Sequence, residues 1–210
     1  MMRRRTLLGG VAASGLLIGL GAAPARASLL PVRTCADWGA RPPSSPTTVV
    51  YQRPVRILVH HTATDNVTDY SVEHAYAHAR WIQDHHMDDN GWIDSGQHFT
   101  NSRGGHLMEG RHGSLDALHA GDHLVEGAHC PGQNSIAIGI ENEGLYTAEE
   151  PRPEQWDSLV SFCVYTCEQY GIAPTEIDGH RDHYADTQCP GDKLYAALPR
   201  LRQEVARVLG

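Results

Sequence analysis

Val55-Arg56-Ile57-Leu58-Val59-His60-His61-Thr62 is an apolar, β-branched run that stops on a pair of histidines. Short and without helical spacing, it predicts a strand buried in the middle of a sheet. Ser135-Ile136-Ala137-Ile138-Gly139-Ile140-Glu141-Asn142-Glu143-Gly144 has the same character and ends in acids. Around these runs lie patterns of helical period. Thr68 or Asp69 can cap a helix continuing to about His86, with Val72, Ala75, Tyr76, Ala79 and Ile82 at helical spacing. Pro153 opens another, with Glu154 in its first turn and Gly171 as the stop after Tyr170. Ile177-Asp178-Gly179-His180 reads as a short strand, and Lys193 to Leu209 as the last helix. Gln97 to Asn101 and His106 to Glu109 read as a hairpin around Ser102-Arg103-Gly104-Gly105. Gly110 to Gln133 loses any period and is rich in Gly and His, so it is a candidate binding loop. Strands interleaved with helices predict an α/β fold, a mixed central β-sheet flanked by helices on both faces.

The first 27 residues read as a signal peptide. Arg3-Arg4-Arg5 precede an apolar, Gly/Ala-rich stretch from Leu7 to about Ala23, and Ala25-Arg26-Ala27 offers a small-x-small cleavage site before Ser28. Arg4-Arg5-Thr6-Leu7-Leu8 resembles a twin-arginine signal, with the general secretory route as the alternative. The expected mature protein is secreted and keeps no stable membrane span after processing. Removal of residues 1–27 leaves 183 of 210, enough for one domain with a real core. Within it, residues 28–54 read as an irregular N-terminal segment, because Arg41-Pro42-Pro43-Ser44-Ser45-Pro46 resists regular structure. Residues 55–210 are the domain proper.

Charge excludes some partners. The chain stands at −8, and loss of the four signal arginines takes it to −12 with a single lysine, Lys193. A nucleic-acid partner would need a basic face, and an anionic membrane surface would too. Five cysteines is an odd number for an exported protein and asks for one unpaired thiol. If Cys189 binds a metal, the other four can form two disulfides. Cys163 and Cys167 lie one helical turn apart, so each is expected to pair with one of Cys35 and Cys130 rather than with the other.

The chemistry-bearing residues sit at two ends of the chain. His60 closes the predicted central strand. Gly179-His180-Arg181-Asp182 is followed, nine residues after His180, by Cys189-Pro190-Gly191. Two imidazoles and a thiolate are the donor set of an open, three-ligand Zn²⁺ site, and strand ends are where α/β folds place such sites. Any one of these residues alone is as easily structural, Cys189 as half of a disulfide and His180 as a hydrogen-bond partner of Asp182.

The combination resembles the zinc-dependent type 2 N-acetylmuramoyl-L-alanine amidases and the peptidoglycan recognition proteins that share their fold. The matching segments are Val59-His60-His61-Thr62, Trp92-Ile93-Asp94-Ser95-Gly96-Gln97-His98-Phe99, Glu109-Gly110-Arg111, Asn134-Ser135 through Glu141, and Gly179-His180 to Pro190-Gly191, in family order. The resemblance implies Zn²⁺ on His60, His180 and Cys189, with His61 packing or lining the groove. It implies peptidoglycan or muropeptides as substrate, cleaved at the amide between muramic acid and L-alanine, and a protein associated with the cell wall. Zinc would polarise that carbonyl and lower the pKa of a water toward ~7.

Two departures carry consequences. Many members have a tyrosine near the metal water where this chain has Gln97, and an amide does not usefully take up a proton. Glu141 then stands as general base, matching a glutamate of other family branches, with Gln97 and Thr187 orienting the transition state. The His180–Cys189 spacing is one residue longer than usual in recognition proteins, which makes His183 a rival ligand. Arg111 is a candidate contact for stem-peptide carboxylates and Asn134 a further candidate for substrate binding.

Overall fold

The computed structural model describes residues 30–210, and the signal-peptide reading of residues 1–27 lies outside them. In chain order the elements are β1 (Val32–Arg33), α1 (Cys35–Trp38), β2 (Val49–Val50), β3 (Arg56–His61), α2 (Val72–Asp84), β4 (Phe99–Asn101), β5 (Leu107–Glu109), α3 (Ser114–Ala120), β6 (Leu124–Val125), β7 (Ala137–Asn142), α4 (Pro153–Tyr170), β8 (Ile177–Gly179) and α5 (Asp192–Leu209). Six strands form the main sheet in the order β1-β5-β4-β7-β3-β8. Its pairings are parallel except for the β4–β5 hairpin, so the sheet is mixed. β2 and β6 form a separate antiparallel pair.

β3 is apolar throughout because it is covered on both faces. Ile57, Leu58 and Val59 are all fully buried, as a central parallel strand demands. Alternation sorts its side chains. Ile57 and Val59, with Ile138 and Ile140 of β7, join the main core beneath α4 and α5, where they meet Leu159, Phe162, Leu194 and Leu201. Leu58 belongs to a separate cluster with Cys130 and Ala137. α1 and α2 cover sheet surface through Trp38, Ala75, Ala79 and Met108. Helices therefore flank the sheet on both faces, as the interleaved pattern predicts. In parallel register, His60 of β3 lies opposite Glu141 of β7. Parity places both on the Leu58 side, away from the main core.

Helix ends follow local chemistry. Ser71, not Thr68 or Asp69, caps α2: its Oγ accepts from His74 N–H at 3.2 Å, while Asp69 accepts from Ser71 N–H at 3.0 Å and shapes the turn ahead of it. Beyond Asp84 the chain makes one π-helical turn, His85–Asp89. α4 begins at Pro153 and ends where Gly171 takes φ of 73° and donates to Cys167 O. The stretch read as an irregular lead-in contains β1, which adds to the sheet edge beside Leu107, and α1, held by a capping box between Thr34 and Asp37. The aperiodic stretch from Gly110 to Gln133 holds α3 and β6. Such short elements leave too few residues for a period to show.

The expected disulfides are not formed. All five cysteines are buried free thiols. Cys163 and Cys167 point into the main core, whereas Cys35 packs beside Trp38 and Cys130 beside Leu58, in separate clusters. Titration of the denatured, unreduced protein should accordingly find five thiols, and reductant should leave its melting temperature unchanged. A count of one thiol would restore the two crosslinks.

Candidate metal centre and active site

Three loops meet beyond the ends of β3, β7 and β8. His60 is the next-to-last residue of β3, and His180 is the first residue after β8. Cys189 returns to them through a loop pinned at several points. Arg181 N–H donates to Cys189 O at 3.1 Å, and Cys189 N–H to Thr187 Oγ1 at 3.1 Å. The Arg181 guanidinium pairs with Asp192 at 2.8 Å and lies 4.7 Å over the Tyr195 ring. Cys189-Pro190 is cis, and Gly191, at φ of 88°, lies so close to the Tyr146 backbone that a Cβ would meet it at 2.6 Å. The donor atoms of His60, His180 and Cys189 all fall within 4.8 Å of one another. Among the described residues, this is the one such cluster of metal-binding side chains.

The donors suit a cation. Burial, helped by neighbouring imidazoles, pushes the His60 pKa well down, and burial lowers that of His180, so both rings are neutral near pH 7 with lone pairs to give. His180 Nε2 is buried without a hydrogen-bond partner. Burial pushes the Cys189 thiol up to about 12, while His61 N–H, 3.3 Å from Sγ, favours the thiolate. A divalent ion would complete that bias. His183 is not a further donor. It turns outward to Asp178 at 2.9 Å and Arg56 at 3.0 Å, so the longer loop bulges without disturbing the three.

A cavity of about 290 Å³ opens over the cluster. Glu141 and Thr187 line it, as do His61 and Gln97. Burial raises the Glu141 carboxyl to about 8. Gln97 donates through Nε2 to Thr100 Oγ1 at 3.0 Å, and its buried Oε1 has no partner. Two of the sequence candidates stand elsewhere. Arg111 is buried, donates to Ser95 O at 2.8 Å and does not line the cavity. Asn134 staples a loop, its Oδ1 accepting from His129 N–H at 2.8 Å and Cys130 N–H at 2.9 Å.

That loop carries the residue the sequence reading missed. His129 lines the cavity and stands 3.0 Å, Nδ1 to Nε2, from His60. Fourteen histidines hide one another in composition. The visible signal was a glycine on each side: a Cβ on Gly127 would meet His129 at 2.6 Å, and one on Gly139 at 2.7 Å. His86 and Trp92, 4.6 Å apart in a tilted stack, form another wall that the sequence left unassigned.

Comparison with known proteins gives this geometry its relatives. A sequence model described as N-acetylmuramoyl-L-alanine amidase matches residues 51–192. Peptidoglycan-recognition protein LB of Drosophila melanogaster is 31% identical over 165 residues, 78% of this chain and 65% of that protein. Peptidoglycan recognition protein 1 of Bos indicus is 31% identical over 94% of this chain and 95% of its own length. The N-acetylmuramoyl-L-alanine amidase of Sus scrofa is 32% identical over 80% of this chain, which spans only 27% of that longer protein. In structure, Drosophila recognition protein LB superposes with a TM-score of 0.67 at 29% identity, covering 80% of this chain and 91% of that one. A variant of the same fly protein is solved in complex with tracheal cytotoxin.

Burial makes the region sensitive to acid. His86 and His98 are both held to about 4, chiefly by desolvation, against an unfolded value of ~6.5. Between those values the unfolded chain takes up protons that the folded one refuses. Stability is therefore full above about pH 6.5 and falls as pH drops toward about 4, by up to ~1.4 kcal/mol per pH unit for each ring. Urea midpoints of the zinc-free protein between pH 7 and 5 should show this, and His98→Gln should flatten the slope. An unchanged slope would assign the acid sensitivity elsewhere.

Proposed function

The chain belongs to the N-acetylmuramoyl-L-alanine amidase family, and from that premise we propose that it is a secreted, zinc-dependent amidase. Its substrate is peptidoglycan or its muropeptides, cut at the amide between the lactyl group of muramic acid and L-alanine. The observation that carries this reading is the meeting of two neutral imidazoles and one thiol beneath a cavity that also holds an unpaired carboxyl, Glu141. The signal-like residues 1–27, the domain over 55–210 and association with the cell wall belong to the same proposal. It agrees that no helix among the described residues is long and apolar enough to cross a membrane.

His60, His180 and Cys189 would hold the zinc, which supplies a polarised carbonyl and a water acidified toward ~pKa 7. Glu141 takes the proton of the attacking water and returns it to the leaving amine of L-alanine. A carboxyl drawn upward by burial favours that second duty, and a cation beside it would draw the group back toward its ordinary range. Gln97 and Thr187, both on the cavity wall, orient the water and the carbonyl oxygen. His61 lines the groove where the scissile group would lie. Arg111, behind the wall, supports Ser95 rather than touching substrate in this conformation.

One observation favours a second reading, recognition without cleavage: Gln97 stands where many amidases of the family have a tyrosine. Several relatives are named recognition proteins. Against it stands the complete donor triad.

Digestion of purified peptidoglycan followed by mass analysis separates the two. The amidase releases free stem peptides and lactyl-terminated glycan, whereas binding without product supports recognition. Glu141→Gln should keep one zinc per chain and lose about 10²–10⁴-fold in cleavage rate. A variant with wild-type turnover removes Glu141 from the proton transfers.

A further inference from the structure

His129 has no part in the proposal above, yet it touches one of the three donors. It stands in the middle of a row of buried rings, between His98 and His60. His98 is fixed at both nitrogens: Nδ1 accepts from Gly139 N–H at 2.9 Å, and Nε2–H donates to Val125 O at 2.7 Å. Its ring meets that of His129 edge to face, at 5.3 Å and 72°. The His129 ring meets His60 in the same manner, at 5.0 Å and 88°, with Nδ1 3.0 Å from His60 Nε2. The opposite nitrogen of His60, Nδ1, faces Cys189 Sγ at 3.7 Å.

A neutral imidazole carries one N–H and one lone pair. For His60 to donate through Nδ1, toward the thiol, its proton must sit on Nε2. That proton needs a buried acceptor, and His129 Nδ1 is placed to be it. The matching tautomer of His129 carries its own proton on Nε2. That nitrogen is buried without a hydrogen-bond partner. Resting on the zinc reading, we propose that His129 is a positioning residue: by accepting the Nε2 proton of His60 it holds the lone pair of Nδ1 toward the metal.

The surroundings are built to keep the ring there. Gly139, on β7, leaves room that any side chain would fill, since a Cβ would come within 2.7 Å of His129 Cγ and Nδ1. Gly127 does the same at 2.6 Å from Cδ2 and 2.9 Å from His98 Cε1. Asn134 Oδ1 clamps the His129 backbone N–H at 2.8 Å. Two glycines, one asparagine and one fixed histidine thus enclose a slot whose open side meets His60.

The test uses the metal and the ring rather than turnover. In the zinc-free wild type, long-range ¹H–¹⁵N correlation should find His60 protonated at Nε2. His129→Ala should blur that preference and weaken zinc about 10–100-fold in chelator competition, as losses of such outer partners do. His129→Gln, which restores an acceptor, should recover part of the loss. Gly139→Ala, which crowds the ring without removing it, should reproduce the defect and guards against misfolding of the first variant. A merely structural ring would change stability but leave the His60 tautomer alone. Wild-type zinc affinity in both His129→Ala and Gly139→Ala, or a His60 proton on Nδ1 in the wild type, overturns the proposal. Tight zinc without amide cleavage in the wild type would instead sink the amidase reading and leave His129 where it is.

Discussion

The parallel register of β3 on β7 is the constraint from which the site follows. It sets His60 directly across from Glu141, and strand parity turns both side chains to the face away from α4 and α5. A slip of one residue would send the histidine into the apolar core and Val59 into the cavity. The register is secured by the side chains that the site does not use. Ile57, Val59, Ile138 and Ile140 reach the main core in this pairing, and a one-residue slip of either strand would turn its pair away from it. Burial of each contributes about 1.5–3 kcal/mol. The energy that folds the sheet therefore also fixes which residues face the cavity.

The opposite face pays a different cost, since it is polar where a core should be apolar. His60, His98 and His129 are all buried and all depressed in pKa, so the fold holds them neutral. Neutral rings can pack edge to face with one another as charged ones could not. Glycines at 127 and 139 make the room, and hydrogen bonds to Gly139 N–H and Val125 O satisfy the outermost ring. Among the residues that line the cavity, His180 Nε2, Gln97 Oε1, His129 Nε2 and His61 Nδ1 are buried without a hydrogen-bond partner. Orphaned polar atoms cost roughly 1–3 kcal/mol each, a cost that a ligand in the cavity would offset.

Much of this was legible in the sequence because it is written in long periods or in strong residue types. The apolar runs around Leu58 and Ile138 mark β3 and β7, and Pro153 with Gly171 brackets α4. The distant pieces of the candidate site were visible because metal-binding side chains are few and their spacing is distinctive. Other features were not visible. β1 and α1 are too short to show a period, and they owe their existence to Leu107 and Glu109, more than seventy residues away. The cysteine count suggested crosslinks, but thiols are also small apolar groups, and Cys163 and Cys167 serve as such in the core. Arg111 and Asn134 looked like surface groups made for a ligand. Burial and partners, which sequence does not carry, turned the first toward Ser95 and the second toward its own loop.

Replacing a phenol with the amide of Gln97 simplifies the proton inventory of the cavity. A tyrosine could donate a hydrogen bond to a developing oxyanion and share a proton with water; Gln97 has its Nε2 committed to Thr100 and offers an acceptor instead. An acceptor suits the O–H of a water and not an oxyanion, so in the proposed reaction charge stabilisation would fall to Thr187 and to a metal held by the three donors. Glu141 is then the one carboxyl on the cavity wall, and in the proposed amide hydrolysis both proton movements would fall to it. A group serving first as base and then as acid works best when its affinity for the proton lies between those of attacking water and leaving amine. Desolvation on the polar face of β7 moves a carboxyl in that direction, which ties the chemistry back to the strand pairing that buried it.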